Sequence, residues 1–574
     1  VSHWQRYWFA PGGRHGAAVV RVAIACSILW TLLRLTSIGY AANPESAPTT
    51  LYRPVGILML LGGQAPAAWL LEGLRWGAWA ATLTMLVGWR TRTATVVSWV
   101  CAGSLACYEA SFAAHWSHHN NVPFMAQLAF FAARGGDVWS VDAWLRRRRG
   151  LAECNVARAY QWSLRLVQLA VALMFFSAVL AKLYFGGFTP AWAISDNLRH
   201  QILARYDWIG VPRTQVADWL VGDVWRYRLA AAGNMLAQLT PVLAALLMKR
   251  PRLRALAGVV FVVETLALGV VMDLWNMHWL PLAAVFVDWD RLWQRGKGKE
   301  GIEGESAMAS GSATETGVLT PSLPPHATAI RIFVALFLLY DLIVICGLDQ
   351  RLRTYPFSAY PMFGYVRAKR PHDWHQTYEM PGTAIEILAA QPGTAAAQSW
   401  IDRRHTYRQL YKVRSVRRLR TNLEAMRAAL QQRHPELGIE GVRVHFAAFQ
   451  APAYPAPAQL LRVPLGVLGE LRGEELRSAL GKVREIGGEL MIEPQWTGMV
   501  PPAEVRYEAV VDYAIERRPL AVQPAPSGSG ASDAGKSSDG SRVRAARPPG
   551  DVVLVLAVVG DTRYVVGEVG LRQW

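Results

Sequence analysis

The stretch LRLVQLAVALMFFSAVLAKLYFGG, Leu164 to Gly187, constrains this chain more than any other. It is long and apolar enough to fill a bilayer core, for which about 20 such residues suffice. Yet it holds Arg165, Gln168 and Lys182. Similar apolar runs recur through the first 350 residues, and the chain is 52% hydrophobic with 24 tryptophans. Such a composition describes a polytopic membrane protein with soluble mass left for at least one further domain.

Helical spans are expected at roughly 16–38, 68–88, 94–113, 121–134, 161–185, 229–248, 255–273, 275–289 and 327–347. The apolar piece LYRPVGILMLLGG at 51–63 is too short to cross and is expected to lie in the interface or re-enter. Basic clusters stand at 89–92 (WRTR), 146–149 (RRRR), 249–254 (KRPRLR) and 295–299 (RGKGK). Each follows an even-numbered span, so all four fall on one side, which the positive-inside rule makes cytoplasmic. The N-terminus is then cytoplasmic, and everything after the ninth span lies outside the cytoplasm. The opening VSHWQRYWFAPGGRHG lacks a small-residue cleavage site before a short apolar core, so no cleaved signal peptide is read there.

The net charge of +18 sits largely in those loop clusters and comes with no recognised nucleic-acid motif, which argues against a nucleic-acid partner. Five cysteines without a CxxC pair argue against a disulfide framework or a zinc site.

The expected organisation is a transmembrane bundle over 1–293, a disordered cytoplasmic linker over 294–326, a last transmembrane helix over 327–348 and a soluble domain over 349–574. The linker is rich in Gly, Ser and Thr and has no apolar period. In the soluble part, alternating runs such as GVRVHFAAF and EVRYEAVVDYAIE surround a basic helical stretch near 415–433, which predicts an α+β domain. A flexible insert is read over 521–550, before a final strand pair, DVVLVLAVVGDTRYVVGEVGL.

Three groups of residues are candidates for chemistry. About 25 Å of helix separates Arg165 from Lys182, which places Lys182 near the outer face. It is either an anchor that snorkels to the headgroups beside Tyr184, Phe185, Phe188 and Trp192, or an amine in the bundle interior, sheltered enough to serve as a base. The segment HWSHHNNVPF brings His115, His118 and His119 onto one helical face at the same level. A di-iron site would need more histidine ligands than this half supplies, so no metal is expected. A structural interface segment and a polarising or proton-relay histidine both remain open. Glu264, Asp273 and His278 form the third group. Asp273 and His278 fall at a tight outer turn, and the deeper Glu264 needs a hydrogen-bond partner or a proton, or borders a pocket.

The order of LRWGAWAATLTMLVGWRTRTATVV, the His-Asn segment, GGDVWSVDAWLRRR and LRLVQLAVALMFFSAVLAKL resembles the HTTM domain. This is the membrane region shared by vitamin K-dependent gamma-glutamyl carboxylase and many bacterial relatives, and the resemblance covers roughly residues 10–290. It is carried best by WSVD at 139–142 and the run from Gln168 to Lys182. The resemblance implies that Lys182 is the catalytic base and that His119 matches a histidine of the family, with His118 where the family has asparagine. A later family histidine falls near Glu264, and Asn120 and Asn121 are further candidates for positioning the cofactor. It implies a lyase-type chemistry: oxygen-dependent reaction of a lipid-soluble hydroquinone, vitamin K or menaquinol-like, with carboxylation of an acceptor. A bacterial inner membrane and contact with membrane lipids follow from the same likeness. Phe188 and Ala191 stand where the family usually has Trp and Gly, and the soluble domain does not match the carboxylase's luminal part, which holds the propeptide-binding surface. The motif YPFSAYPMFGY at 355–365 resembles one in other bacterial membrane proteins, without an assigned role. The alternative is a non-catalytic membrane protein that binds lipid or quinone or anchors its outer domain.

Overall fold

The computed structural model describes residues 3–47, 49, 52–112, 116, 120–151, 158–209, 212–246, 250–296, 324, 326–345, 378–389, 413, 415–433, 435–458, 461–499, 505–512, 516–524, 542–550 and 552–570. His115, His118, His119, most of the 294–326 linker and the 355–365 motif lie outside them.

The helical part runs α1 (His3–Trp8), α2 (Arg14–Ile38), α3 (Ala68–Val87), α4 (Thr91–Phe112), α5 (Asn121–Ala129), α6 (Val141–Arg148) and α7 (Gln161–Phe185). It continues through α8 (Ala191–Ile194), α9 (Asn197–Ile209), α10 (Gln215–Val221), α11 (Val224–Leu246), α12 (Pro251–Met272), α13 (Trp289–Gly296) and α14 (Ala327–Ile345). Among the described residues five helices are long and apolar enough to cross a membrane: Arg14–Ser37 within α2, all of α7, α11 and α12, and Ala327–Val344 within α14. Helices α3 and α4 match them in length, at about 30 Å or slightly more, but carry Glu72, Arg75, Arg92 and Glu109.

Two expected spans are shorter than read. The fourth contracts to the nine residues of α5, and the eighth becomes a 3-10 helix, Met277–Phe286, with Pro281 inside it. Their apolarity has another cause. Val122, Phe124, Met125, Ala126 and Ala129 are buried in protein, as are Trp279, Leu282, Val285 and Phe286. A segment walled in by neighbours is apolar on every side without needing the length to span lipid. The 51–63 piece holds a short 3-10 helix, Gly56–Leu61, with Leu58 buried and Met59, Leu60 and Leu61 exposed.

Contacts sort the bundle into two ends. At one end His15 lies 3.1 Å from Asp290 and its ring packs on Trp139 and Trp293. Arg21 donates to the carbonyls of Gly135 and Trp139, Tyr160 donates to Asp137, and Arg254 to Asp288. The basic clusters 89–92 and 146–149, the described part of 249–254, and α13 therefore gather together. The WSVD motif organises this end. Ser140 caps α6 by accepting from Ala143 N at 2.9 Å, and Asp142 caps α4 through Thr91 N at 2.9 Å and Thr91 Oγ1 at 2.8 Å. Gly88, at φ 75°, turns the chain from α3 to α4 where a Cβ would collide with Ser140 and Arg21.

The opposite end carries Lys182 and the short helices α8 and α9, and here the C-terminal domain docks. Between β2 (Ile439–Ala451) and β3 (Leu461–Arg472), the chain 452–458 rests on the bundle. Arg199 donates to the carbonyls of Pro452 and Ala456, the latter at 2.6 Å, and Tyr454 N donates to Asp196 at 3.2 Å. Asp196, 2% exposed, also accepts from Tyr227 at 2.5 Å and from Arg228 at 3.5 Å.

The C-terminal domain is built on an eight-stranded sheet. With β1 (Tyr378–Ala389), β4 (Glu475–Arg477), β7 (Arg506–Val511), β8 (Arg517–Leu520), β11 (Val552–Val559) and β12 (Thr562–Gly570), its order is β1-β2-β3-β12-β11-β7-β8, β4 pairing with β3. Among the described residues only β12 and β3 pair in parallel, at Tyr564 and Val467. Helix α15 (Val416–Arg433) covers one face, packing Leu419, Leu423, Met426 and Leu430 against Val442, Val444 and Leu471. On the other face lies a second sheet of β5 (Lys482–Ile486), β6 (Glu489–Glu493), β9 (Val522–Pro524) and β10 (Val543–Ala546), in the order β5-β6-β10-β9. Leu490, Ile492 and Ala545 from it meet Ala509, Val553, Val555 and Ala557. Strand β11 is thus buried on both faces, which explains its unbroken apolar run. The insert read over 521–550 is in part ordered sheet, since Val543 pairs with Pro524 and Ala545 with Val522; residues 525–541 lie outside the described set.

Candidate functional site

Lys182 sits one turn from the C-terminal end of α7 and is 1% exposed. Its amine does not reach for the headgroup level but turns inward to α11. Nζ donates to Asn234 Oδ1 and, at 2.8 Å, to Gln238 Oε1. The two amides stand four residues apart and so share one face of α11. Each passes the polarity on: Asn234 Nδ2 donates to Glu264 Oε1, and Gln238 Nε2 donates to the same oxygen at 3.0 Å. Glu264, on α12, is 7% exposed. The fourth wall is aromatic, with the ammonium 4.1 Å from the centroid of the Trp192 ring.

A lysine, two amides and a carboxylate from three helices therefore form one closed unit. Carbonyl oxygens face the cation and amide NH2 groups face the anion, the one amide orientation that satisfies both. The arrangement separates the two charges by a layer of dipoles while keeping them electrostatically paired. A proton on Lys182 can thus be compensated by charge on Glu264 without water entering.

The sequence-derived candidates divide as follows. Lys182 and Glu264 come together. Asn120 is buried and its Oδ1 accepts from Arg34 at 2.9 Å, while Asn121 Nδ2 lies 3.7 Å from Met125 Sδ. The Lys182 hydrogen bonds among the described residues run to α11 instead. His118 and His119 are outside the described residues. Gln168 donates to the Val285 carbonyl at 2.7 Å and pins the 3-10 helix to α7, and Arg165 stacks over Tyr7 at 4.5 Å. Asp273 ends α12 and accepts from Trp275 Nε1 at 3.0 Å, and the carbonyl of buried His278 accepts from Ser27. Trp192, expected in an interfacial belt, is instead 1% exposed beneath the amine, whereas Tyr184 and Phe188 are exposed. Among the described residues no three His, Cys, Asp or Glu side chains converge as metal ligands.

Asn234 and Gln238 went unrecognised in the sequence. The available signal was two amides at i and i+4 in the otherwise apolar AAAGNMLAQLTPVLAAL, a polar stripe that only a bundle interior accommodates.

No protein-family model matches the chain, and no curated protein or solved structure matches it.

Proposed function

We propose that this chain is an integral membrane protein with carboxylase-like chemistry, in which Lys182 takes a proton from a lipid-soluble hydroquinone. The observation that carries the reading is the inward-turned amine, 1% exposed and coupled through Asn234 and Gln238 to Glu264. A lysine retained for anchoring gains nothing from polar partners on two other helices, and a buried ionisable cluster in a membrane bundle is most simply explained by function. When bound, a reduced vitamin K-type quinone supplies, with oxygen, a base stronger than any side chain. The chain's part is to present Nζ of Lys182 as a neutral amine whose lone pair accepts the proton, to compensate the resulting ammonium with the Glu264 carboxylate, and to exclude water. By the HTTM resemblance alone, His119 is assigned as the polarising or hydrogen-bonding partner of Lys182 in catalysis, and His118, Asn120 and Asn121 to the cofactor side of the site.

The same proposal sets the bundle in a bacterial inner membrane with up to nine crossings and lipids as neighbours. Its basic end faces the cytoplasm with the N-terminus, and its docking end, with residues 349–574, faces the periplasm. The clustering of the basic loops at the end away from Lys182 supports this orientation.

A second reading has its own support. Lys182, Asn234, Gln238 and Glu264 satisfy one another, as a purely structural clamp would, in a protein that binds lipid or quinone without turnover or anchors its outer domain. Incubating the full-length protein in nanodiscs with reduced vitamin K and oxygen separates the two. Epoxide formation that is lost in Lys182→Ala is the expected result. Absence of epoxide with the unaltered protein, or undiminished turnover in Lys182→Ala, favours the clamp.

A further inference from the structure

At the basic end, far from Lys182, the α3–α4 turn, the chain after α5 and the start of α6 enclose an open cleft of about 440 Å³. This is within the range of small-molecule pockets, about 300–1,000 Å³. Its walls carry four arginines, Arg90, Arg92, Arg134 and Arg146, against two aspartates.

The aspartates are already committed. Asp137 accepts from Arg134 at 2.7 Å, from Tyr160 at 2.8 Å and pairs with Arg146 at 3.1 Å. Asp142 is taken up by the start of α4, through the Arg90 and Thr91 backbone and the Thr91 hydroxyl. Arg90 and Arg92 line the same cleft, and among the described residues no acceptor pairs with the guanidinium group of either. Gly136 at the floor lets the chain approach so closely that a Cβ there would collide with the Thr91 hydroxyl. The cleft is thus a built concavity with two spare cationic forks, a chemistry that matches phosphate oxygens.

Its level in the bundle narrows the source. Trp89, Trp139 and Trp144 are each nearly half exposed around it, and Arg148 stacks over Trp144 at 4.0 Å. Exposed tryptophans and arginines together mark the depth of lipid headgroups.

We infer that this cleft is a phosphate-binding site that holds the headgroup of an anionic phospholipid, with Arg90 and Arg92 as its principal ligands. The inference is independent of the chemistry proposed at Lys182.

The test uses the full-length protein in nanodiscs of mixed phosphatidylglycerol and phosphatidylcholine, released and weighed by native mass spectrometry. The unaltered protein should retain phosphatidylglycerol in preference to phosphatidylcholine. The double variant Arg90→Asn, Arg92→Gln should lose that preference by about 30-fold, as expected for two basic groups removed at the membrane surface. Arg92→Lys, which keeps the charge, should retain most of it and controls for folding. Added inorganic phosphate distinguishes the sources: failure to displace the lipid assigns the site to the headgroup, and displacement lost in the double variant assigns the same site to a soluble anion. Equal retention of the two lipids by the unaltered protein, or an unchanged preference in the double variant, overturns the inference.

Discussion

Lys182 would be a poor anchor where it stands, because its amine is walled in by Trp192, Asn234 and Gln238. What matters at this scale is that no member of the unit is replaceable alone. Replacing Gln238 by Leu removes one of the two amide bridges and leaves the Asn234 bridge in place. A loss of about 1–3 kcal/mol is expected, the usual cost of leaving buried polar groups short of a partner. Thermal unfolding of the purified variant in detergent checks it; a melting temperature equal to that of the unaltered protein would mean the bridge carries no load. Lys182 and Glu264 were legible as chemical candidates because charge inside an apolar run stands out. Which partner each would meet was not, because a helix sequence reveals its polar stripe but not the helix opposite.

The elements repeat that lesson. Helices α7 and α12 and the β11–β12 hairpin were legible, the hairpin from two β-rich runs around Gly560 and Asp561. Strands β9 and β10 were not, since their pairing spans a long insert and neither is long enough to show a period. α5 and the Met277–Phe286 helix misled in the other direction, because burial in protein and burial in lipid select the same side chains. Two expectations belong here. Arg199 holds the 452–458 segment by two carbonyl contacts, so Arg199→Ala should speed amide exchange across 453–458 while leaving the β2–β3 ladder protected. Hydrogen exchange with mass spectrometry reads both, and unchanged exchange in the loop contradicts the docking role. The β1–β2 pair is tied by Glu386, which lies 3.0 Å from Arg443 and 2.9 Å from His445. Partial burial would raise the Glu386 carboxyl, but the His445 hydrogen bond and the Arg443 charge outweigh it and hold the group below its ordinary value. A carboxyl lowered in the folded state stabilises fully above its unfolded value and loses that contribution as pH falls through the folded one. Acid-induced opening of β1–β2, followed by exchange, should therefore shift to higher pH in Glu386→Gln; an unchanged acid profile would remove this tie from the account.

The whole molecule has polarity along its long axis: arginine-rich loops, tryptophans and the WSVD turn at one end, Lys182 and a docked β domain at the other. Membrane-impermeant thiol labelling of sealed cells tests how that axis lies. A cysteine at Thr562→Cys, exposed on the β11–β12 hairpin, should label from outside, and one at Arg147→Cys, exposed on α6, should label only after permeabilisation. The reverse pattern would turn the molecule over and place the amine at the cytoplasmic face. The central claim is narrower: Lys182 and Glu264 act as one buried unit through two amides. A double-mutant cycle on thermal unfolding, with Lys182→Met, Glu264→Gln and the pair together, measures it directly. Each single change should cost about 3–5 kcal/mol, because it strands a buried charge, and the double change should recover at least about 1–3 kcal/mol of the summed loss. Losses that simply add would show two independent residues and no unit.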